Sequence, residues 1–266
     1  MDTLAGKISH QTLQRISEHF GLEEVLGEDG GPFLPLSAAA FGNAPAGSFR
    51  LFDGGDKLLK VVYTGITVEA IGLDSHMIFA FTKPESLVPT FTLDSVYTRM
   101  PPGMDPNFAE GGDMYAFHLD LVPRCDLGVN EEYMQRCYVP LTECQAKVLA
   151  ADGVFAAQLS PMQRAIMSPW MLAQRTSTDA YESEIFPAAE FYLDHWLGMV
   201  DKGIDDISDG IRGDSGASRD AANRELIFNR EIDSVWSKID AMLGAEVSDF
   251  MIGVLRSQSV EDRAEV

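Results

Sequence analysis

Between Ser48 and Val122 the chain carries a run of apolar segments with no room for a helix between consecutive ones. The segments are SFRLF, LLKVVYTGITVEAIG, MIFAFT, TFTLDSVYT and MYAFHLDLV. They are rich in Val, Ile, Thr, Phe and Tyr, the residues that suit a pleated, half-buried surface. Turn formers separate them: Asp53-Gly54-Gly55, Asp74, Pro84, Pro101-Pro102-Gly103 and Gly111-Gly112. A parallel pair needs a long crossover, whereas antiparallel neighbours need only a short turn. Residues 48–123 are therefore expected to form an antiparallel sheet.

The flanks read differently. Leu4, Ile8, Leu13, Ile16 and Phe20 keep roughly helical spacing, and Gly21 is a natural stop. Residues 27–47, rich in Gly, Pro and Ala, read as a connection over the surface. Residues 124–266 read as mainly helical. Asn130 is placed to cap one helix. Phe186, Ala189, Leu193, Trp196, Leu197 and Val200 form one apolar stripe. Ser218 is expected to open one last long helix through Ala222, Leu226, Ile232, Val235, Ile239 and Met242. The acidic, Gly-rich stretch 201–218 reads as a mobile surface loop. Helix, strands, then helices is an α+β order. A wide sheet must bury at least one face. The expectation is a three-layer α/β/α sandwich, a central antiparallel β-sheet flanked by helices, in a single domain over residues 1–266 with residues 1–47 as N-terminal helix and connection.

Composition excludes several functions. The 266 residues include 41 Asp and Glu against 20 Lys and Arg, a net charge of −21. Nucleic acids and anionic membrane surfaces both recruit positive charge, so neither is an expected partner. No apolar run reaches the roughly 18 residues of a membrane span. The first twenty residues lack the apolar centre of a secretory signal, and Asp2 and Glu18 oppose a transit peptide. The expectation is a cytoplasmic protein, plastid-located only if a transit peptide precedes this chain. Cys125, Cys137 and Cys144 are too few and wrongly spaced for a disulfide framework or a zinc site. Metal ligation is not expected, and the five histidines are scattered.

Familiar catalytic signatures fail. Gly213-Asp214-Ser215-Gly216 resembles a protease nucleophile turn, but it lies in an acidic loop without a base or oxyanion hole. Asp205, Asp206 and Asp209 miss calcium-loop spacing. No GxGxxG follows a strand, and there is no Walker loop.

Two acidic residues remain. In Pro89-Thr90-Phe91-Thr92-Leu93-Asp94-Ser95-Val96 a single carboxylate interrupts an apolar strand. Alternation puts Asp94 on a face with Thr90, Thr92 and Val96, opposite Phe91, Leu93 and Ser95. Asp233 adjoins the apolar stripe of the last helix, beside Ile232 and Trp236. Desolvation favours the neutral form of such a carboxyl, the state required of a proton donor near neutral pH. The plainer account of each is a carboxylate bonded to an amide or an arginine, or a strand end that reaches water.

Residues 58 to about 257 resemble the ferredoxin-dependent bilin reductase superfamily. PTFTLD resembles the bilin reductase strand whose aspartate protonates the bilin; red chlorophyll catabolite reductases carry a glutamate there. YAFHLDLVPRCDLGVNEEYM resembles a strand of those catabolite reductases. Met167-Ser168-Pro169-Trp170-Met171-Leu172, with Arg175, resembles the Ser-Pro segment that bilin reductases set against substrate. FNREIDSVWSKIDAMLGAEV resembles the last helices of the superfamily and puts Asp233 on its second functional aspartate. There is one departure. The biliverdin reductase that makes phycocyanobilin has a histidine on the strand before PTFTLD, where this chain has Met77. His76 is one step away and thus on the opposite face.

The resemblance implies reduction of an open-chain tetrapyrrole with no bound cofactor. Electrons come singly from reduced ferredoxin, and protons come from Asp94 and Asp233, without a histidine partner. Ferredoxins are acidic too, so docking demands a local basic patch in a negative average field. For the substrate's carboxylates it implies Arg124, Arg164 and Arg175, since arginine pairs with carboxylate through two donors. Ser168 and Pro169 would meet substrate, and Trp170 and Trp236 would stack on pyrrole rings. Red chlorophyll catabolite leads among substrates. The alternatives are a biliverdin-type bilin reductase and a non-catalytic tetrapyrrole carrier.

Overall fold

The structure, a computed structural model, describes residues 2–260; residues 1 and 261–266 lie outside the account. Among the described residues nine strands form one antiparallel sheet: β1 (Glu23–Val25), β2 (Leu34–Ala38), β3 (Ala44–Asp53), β4 (Leu58–Val68), β5 (Leu73–Thr82), β6 (Thr90–Met100), β7 (Gly112–Val122), β8 (Val154–Ala156) and β9 (Leu172–Thr176). The spatial order is β1-β3-β4-β5-β6-β7-β9-β8, with β2 also paired to β3. From β3 to β7 the sheet is the expected meander, each strand hydrogen-bonded to the next.

Helices cover both faces, as the apolar content of the strands requires. On one face α1 (Leu4–Phe20), α2 (Glu131–Cys137), α3 (Thr142–Leu149) and α6 (Phe186–Lys202) lie over Phe91, Leu93, Phe117, Leu119 and Leu121. Trp196 is fully buried there, its ring 5.4 Å from Phe91 and its indole N–H donating to the Pro89 carbonyl. A short helix α5 (Thr178–Ala180) and a π-turn over Tyr181–Ile185 lead into α6. On the other face α8 (Val235–Leu243) and α9 (Ala245–Arg256) pack on Phe49, Val62, Ile66, Met77, Phe79 and Phe81. In sequence, α4 (Pro161–Ile166) follows α3 and α7 (Gly216–Ile227) lies between α6 and α8. The result is a three-layer α+β sandwich.

Five local expectations are corrected. Residues 27–47 are not merely a surface connection: Leu34, Leu36 and Ala38 alternate inward, and β2 pairs with β3. The C-terminal half is not helical throughout, because β9 pairs with β7 and β8 with β9, widening the sheet. The stretch 201–218 contains a 3₁₀ helix over Asp205–Gly210 that buries Ile207, and Arg136 pairs with Asp206 at 3.0 Å. The expected last helix is two, α7 and α8, and α9 follows. Asn229 accepts from the Glu231 amide through its side chain, and its carbonyl accepts from the Ile232 and Asp233 amides. Such local bonds compete with the helical ladder. Gly244, at φ 98°, then ends α8, a conformation that favours glycine. Asn130 does precede α2, but its side chain bridges to the Asp126 and Arg212 backbones instead of capping.

Candidate active site

Asp94 stands mid-strand on β6, with Met77 of β5 and His118 of β7 directly across. Facing strand partners put side chains on one side of a sheet. Asp94, Met77, His118, Thr92 and Phe79 therefore share the face under the C-terminal helices, while His76 and Ser95 face α1. The opposite wall is the break between α7 and α8. Asp233 lies in it, its carboxylate accepting from the Val235 amide at 3.0 Å and from the Gln163 side chain of α4 at 3.4 Å. The helix break is what lets this carboxylate turn inward.

Two connected lobes separate the walls. One, of about 30 Å³, is floored by Phe79 and Thr92 and roofed by Phe228 and Trp236. The other, of about 150 Å³, runs past Ala116, Leu159, Gln163 and Ala173. Asp94, His118, Met167, Asp233 and Val235 line both.

The apolar lining decides the electrostatics. Burial, then the nearby charge of Asp233, pushes Asp94 up to about 7. Burial also raises Asp233, partly offset by the Val235 amide and Lys238. His118 is pushed down to about 4 by burial, so it is neutral at physiological pH. The site offers a carboxylic acid, a second carboxyl opposite and a neutral imidazole in a largely apolar cleft. It can deliver protons to a bound molecule. Among the described residues no group of histidine, cysteine and carboxylate side chains is arranged to hold a metal, and no helix is long and apolar enough to cross a membrane.

The other expected site residues are divided. Trp236 forms the cleft roof. Ser168 lies behind the cleft: its hydroxyl and amide both donate to Asp120, at 2.5 and 2.9 Å. That clamp sets the adjoining Met167 against the site. Pro169 and Trp170 are turned away. The Pro169 carbonyl accepts from Gln145, and Trp170 packs on Tyr138 and donates to Thr142. Arg124 is fully buried against Asp220 at 2.6 Å and donates to the Lys83 and Pro84 carbonyls, which leaves it no reach into the cleft. Arg164 is exposed on α4, next to the lining residue Gln163. Arg175 shares the face of Asp94 one strand pair beyond His118–Ala173, through Ala116, and is paired with Asp105 at 2.5 Å.

Sequence reasoning missed His118 and Asp120. The signal was in YAFHLDLV: alternation puts both on one face of β7, and pairing β7 to β6 puts that face beside Asp94. Asp120, fully buried and pushed up to about 7 by burial, is a third carboxyl on this face.

The molecule is thus a three-layer α+β protein with an acid-bearing apolar cleft on one face of its sheet. Its fold matches that of tomato phytochromobilin synthase, whose crystal structure is a complex with biliverdin: TM-score 0.66, 20% identity, covering 96% of this chain and 84% of that one. No protein-family profile matches the chain, and no curated protein matches it by sequence.

Proposed function

We propose that the protein is a ferredoxin-dependent reductase of an open-chain tetrapyrrole that works without a bound cofactor. The observation that carries this reading is the meeting of Asp94 and Asp233 across one cleft, both held toward the protonated form. The bound biliverdin of the tomato protein of like fold supports the substrate class. Reduction of one double bond takes two electrons and two protons. Reduced ferredoxin supplies the electrons one at a time to the conjugated substrate. Asp94 delivers a proton from the sheet, and Asp233 delivers or anchors the second from the helical wall. Apolar walls keep bulk water from protonating other positions.

Ligands of this size fill cavities of roughly 300–1,000 Å³. The two lobes, about 30 and 150 Å³, are smaller. Binding therefore requires α4 and the 228–234 turn to part, and the long Gln163–Asp233 bond is a weak tie between them. On this reading Arg164 and Arg175 take the substrate carboxylates, Arg175 by exchanging its Asp105 partner for them.

Two substrates remain in play. Red chlorophyll catabolite follows from the sequence resemblance; biliverdin is favoured by the complex of like fold. The test is anaerobic. Each tetrapyrrole is added to the pure protein, then reduced ferredoxin. A reductase shifts the visible absorption on binding and bleaches it with ferredoxin. A spectrum that shifts on binding and then stays constant identifies a carrier, and no shift with either compound ends the proposal.

A further inference from the structure

A second groove opens on the other face of the sheet, between α1 and strands β3 to β5. Its volume of about 630 Å³ exceeds either lobe of the cleft and falls in the range that holds an organic ligand. We propose that this groove is a second binding site, for a small organic anion held by Lys7 and His10, with His10 taking up a proton as the ligand enters. The site stands apart from the cleft and does not depend on the chemistry read there.

Thr3, Lys7, His10 and Gln14 follow one another at helical spacing and lay one stripe of α1 over the groove. On the floor, Thr67 faces Asp74 and Gly65 faces His76 across β4 and β5. Gly65 keeps the floor open: a Cβ there would lie 2.7 Å from the Tyr63 hydroxyl. Over that gap Tyr63 reaches His76, and a chain of polar contacts runs from the buried floor out to α1. His76 Nε2 lies 3.2 Å from Asp74 Oδ2. The Tyr63 hydroxyl lies 2.7 Å from His76 Nδ1 and 2.9 Å from His10 Nε2. With one hydrogen on each imidazole, the chain has a single order. The Asp74 charge keeps the His76 hydrogen on Nε2, so Nδ1 accepts from Tyr63. Tyr63 has one hydrogen to give, so His10 Nε2 donates to it. His10 Nδ1 is then the free lone pair at the outer end.

The chemistry of the rim selects the ligand. Lys7, Gln11 and Ser48 line the groove and make no side-chain hydrogen bond among the described residues; Lys7 has only a ring contact, 5.5 Å from the Phe186 centroid. Both oxygens of the buried Asp74 are taken, by Thr3 and Thr67. Donors without acceptors suit an anion. Burial first, then His76, lowers His10 from its ordinary value, so the empty groove holds it neutral at pH 7. An anion beside it reverses the balance, and Nδ1 takes one proton from solvent. Nε2 still donates to Tyr63, so the chain behind it is undisturbed. The charged and titratable groups facing His10 are Lys7 of its own helix, Asp2 ahead of that helix, Tyr63 of β4, Asp74 and His76 of β5, and Arg50 of β3 with its partner Glu24.

The experiment uses the whole protein and two probes, benzoate and dimethyl phosphate. Each keeps a single charge between pH 6 and pH 8, and together they separate carboxylate from phosphate-ester ligands. Calorimetry measures affinity and proton uptake. The His10 ring-proton resonance, identified by its loss in His10→Gln, reports the imidazole itself. At least one probe should bind about ten-fold more tightly at pH 6 than at pH 8 and raise the His10 midpoint by about one pH unit. Lys7 lies on the helix surface outside the Asp74 chain, so Lys7→Gln should leave unfolding unchanged and weaken binding about five-fold. In His10→Gln the amide can still donate to Tyr63, and the pH dependence of binding should vanish. Failure of both probes to bind overturns the proposal. So does a His10 midpoint that neither probe moves. Equal affinity in wild type, Lys7→Gln and His10→Gln would show an adventitious ion only, and overturns it as well.

Discussion

Asp94 and Asp233 reach one cavity from opposite walls, and the charge of Asp233 helps hold the Asp94 carboxyl near neutrality. The two acids are therefore unequal. Asp94 is half-buried on a central strand, with its Oδ1 wholly buried, whereas Asp233 sits in a turn and keeps a backbone partner at Val235. Asp94→Asn is expected to keep bilin binding and lower turnover by about 10²–10⁴-fold, the usual worth of a proton donor. Asp233→Asn should lose less on the first proton and more on the second. Single-turnover spectra separate these: the Asp94 variant stalls before any bleaching, the Asp233 variant after a half-reduced species forms. Equal stalling in both would remove the division of labour.

The same burial makes Asp94 a stability liability above neutral pH. Its folded-state value of about 7 lies above the ordinary 3.8, so the folded chain holds this proton more tightly than the unfolded chain. The Asp94 contribution to stability is then fully present below pH 4, is lost as pH rises through the window to 7, and levels off beyond it. Asp94→Asn, neutral throughout, should match wild type at pH 4 and exceed it at pH 8 by a few kcal/mol, on the order of 4 at most. Urea unfolding at the two pH values checks this, and a stability difference independent of pH would refute it.

Much of this site was legible in the sequence because strands obey a period of two. One carboxylate in PTFTLD fixed the face of Asp94, and the same alternation separated Met77 from His76. What was not legible depends on pairing and on helix ends. His118 joins the site only once β7 is registered on β6. The inward turn of Asp233 needs the break at Asn229, where side-chain bonds win over a continuous apolar stripe. Trp170 and Arg124 carried the right chemistry for substrate, but tertiary partners, Tyr138 and Asp220, claimed them.

The tie between α4 and the 228–234 turn bears on substrate access. Gln163 donates to Asp233 over 3.4 Å, near the limit of a hydrogen bond. Gln163→Ala should leave the fold intact and raise the rate of biliverdin association by a few-fold, about what loss of a bond worth roughly 1 kcal/mol allows. Stopped-flow absorption measures it; an unchanged association rate would place the moving part elsewhere.

Arg124, removed from the list of substrate ligands, has a structural role instead. Asp220 accepts from Arg124 at 2.6 Å and from Arg224 at 2.7 Å, and all three side chains are buried. Arg224 also donates to the Leu255 carbonyl, tying α7 to the end of α9. Asp220→Asn leaves two guanidinium charges without their shared counter-ion, a change that costs about 3–5 kcal/mol. None of the three lines the cleft, so bilin affinity per folded molecule should hold. Loss of affinity with unaltered unfolding would return Arg124 to the substrate site.

Asp74, on the α1 side of the sheet, has the opposite pH sense to Asp94. It accepts from Thr3 of the α1 N-cap at 2.5 Å and from Thr67 at 2.6 Å, and it lies 3.2 Å from the His76 imidazole. Although burial acts to raise it, His76 and the two hydroxyls hold its carboxyl well below the ordinary carboxylate range. A depressed folded-state value means stabilisation that is present above the unfolded value near 4 and is lost as pH falls below it. The Thr3 bond anchors the start of α1, so the loss should be felt there first. Asp74→Asn is expected to destabilise by about 1–3 kcal/mol at pH 7, with the gap to wild type narrowing at pH 3. Amide exchange along α1 should quicken in the variant at pH 7 and in the wild type on acidification. A variant whose deficit is as large at pH 3 as at pH 7 would show that Asp74 acts through packing, and not through its charge.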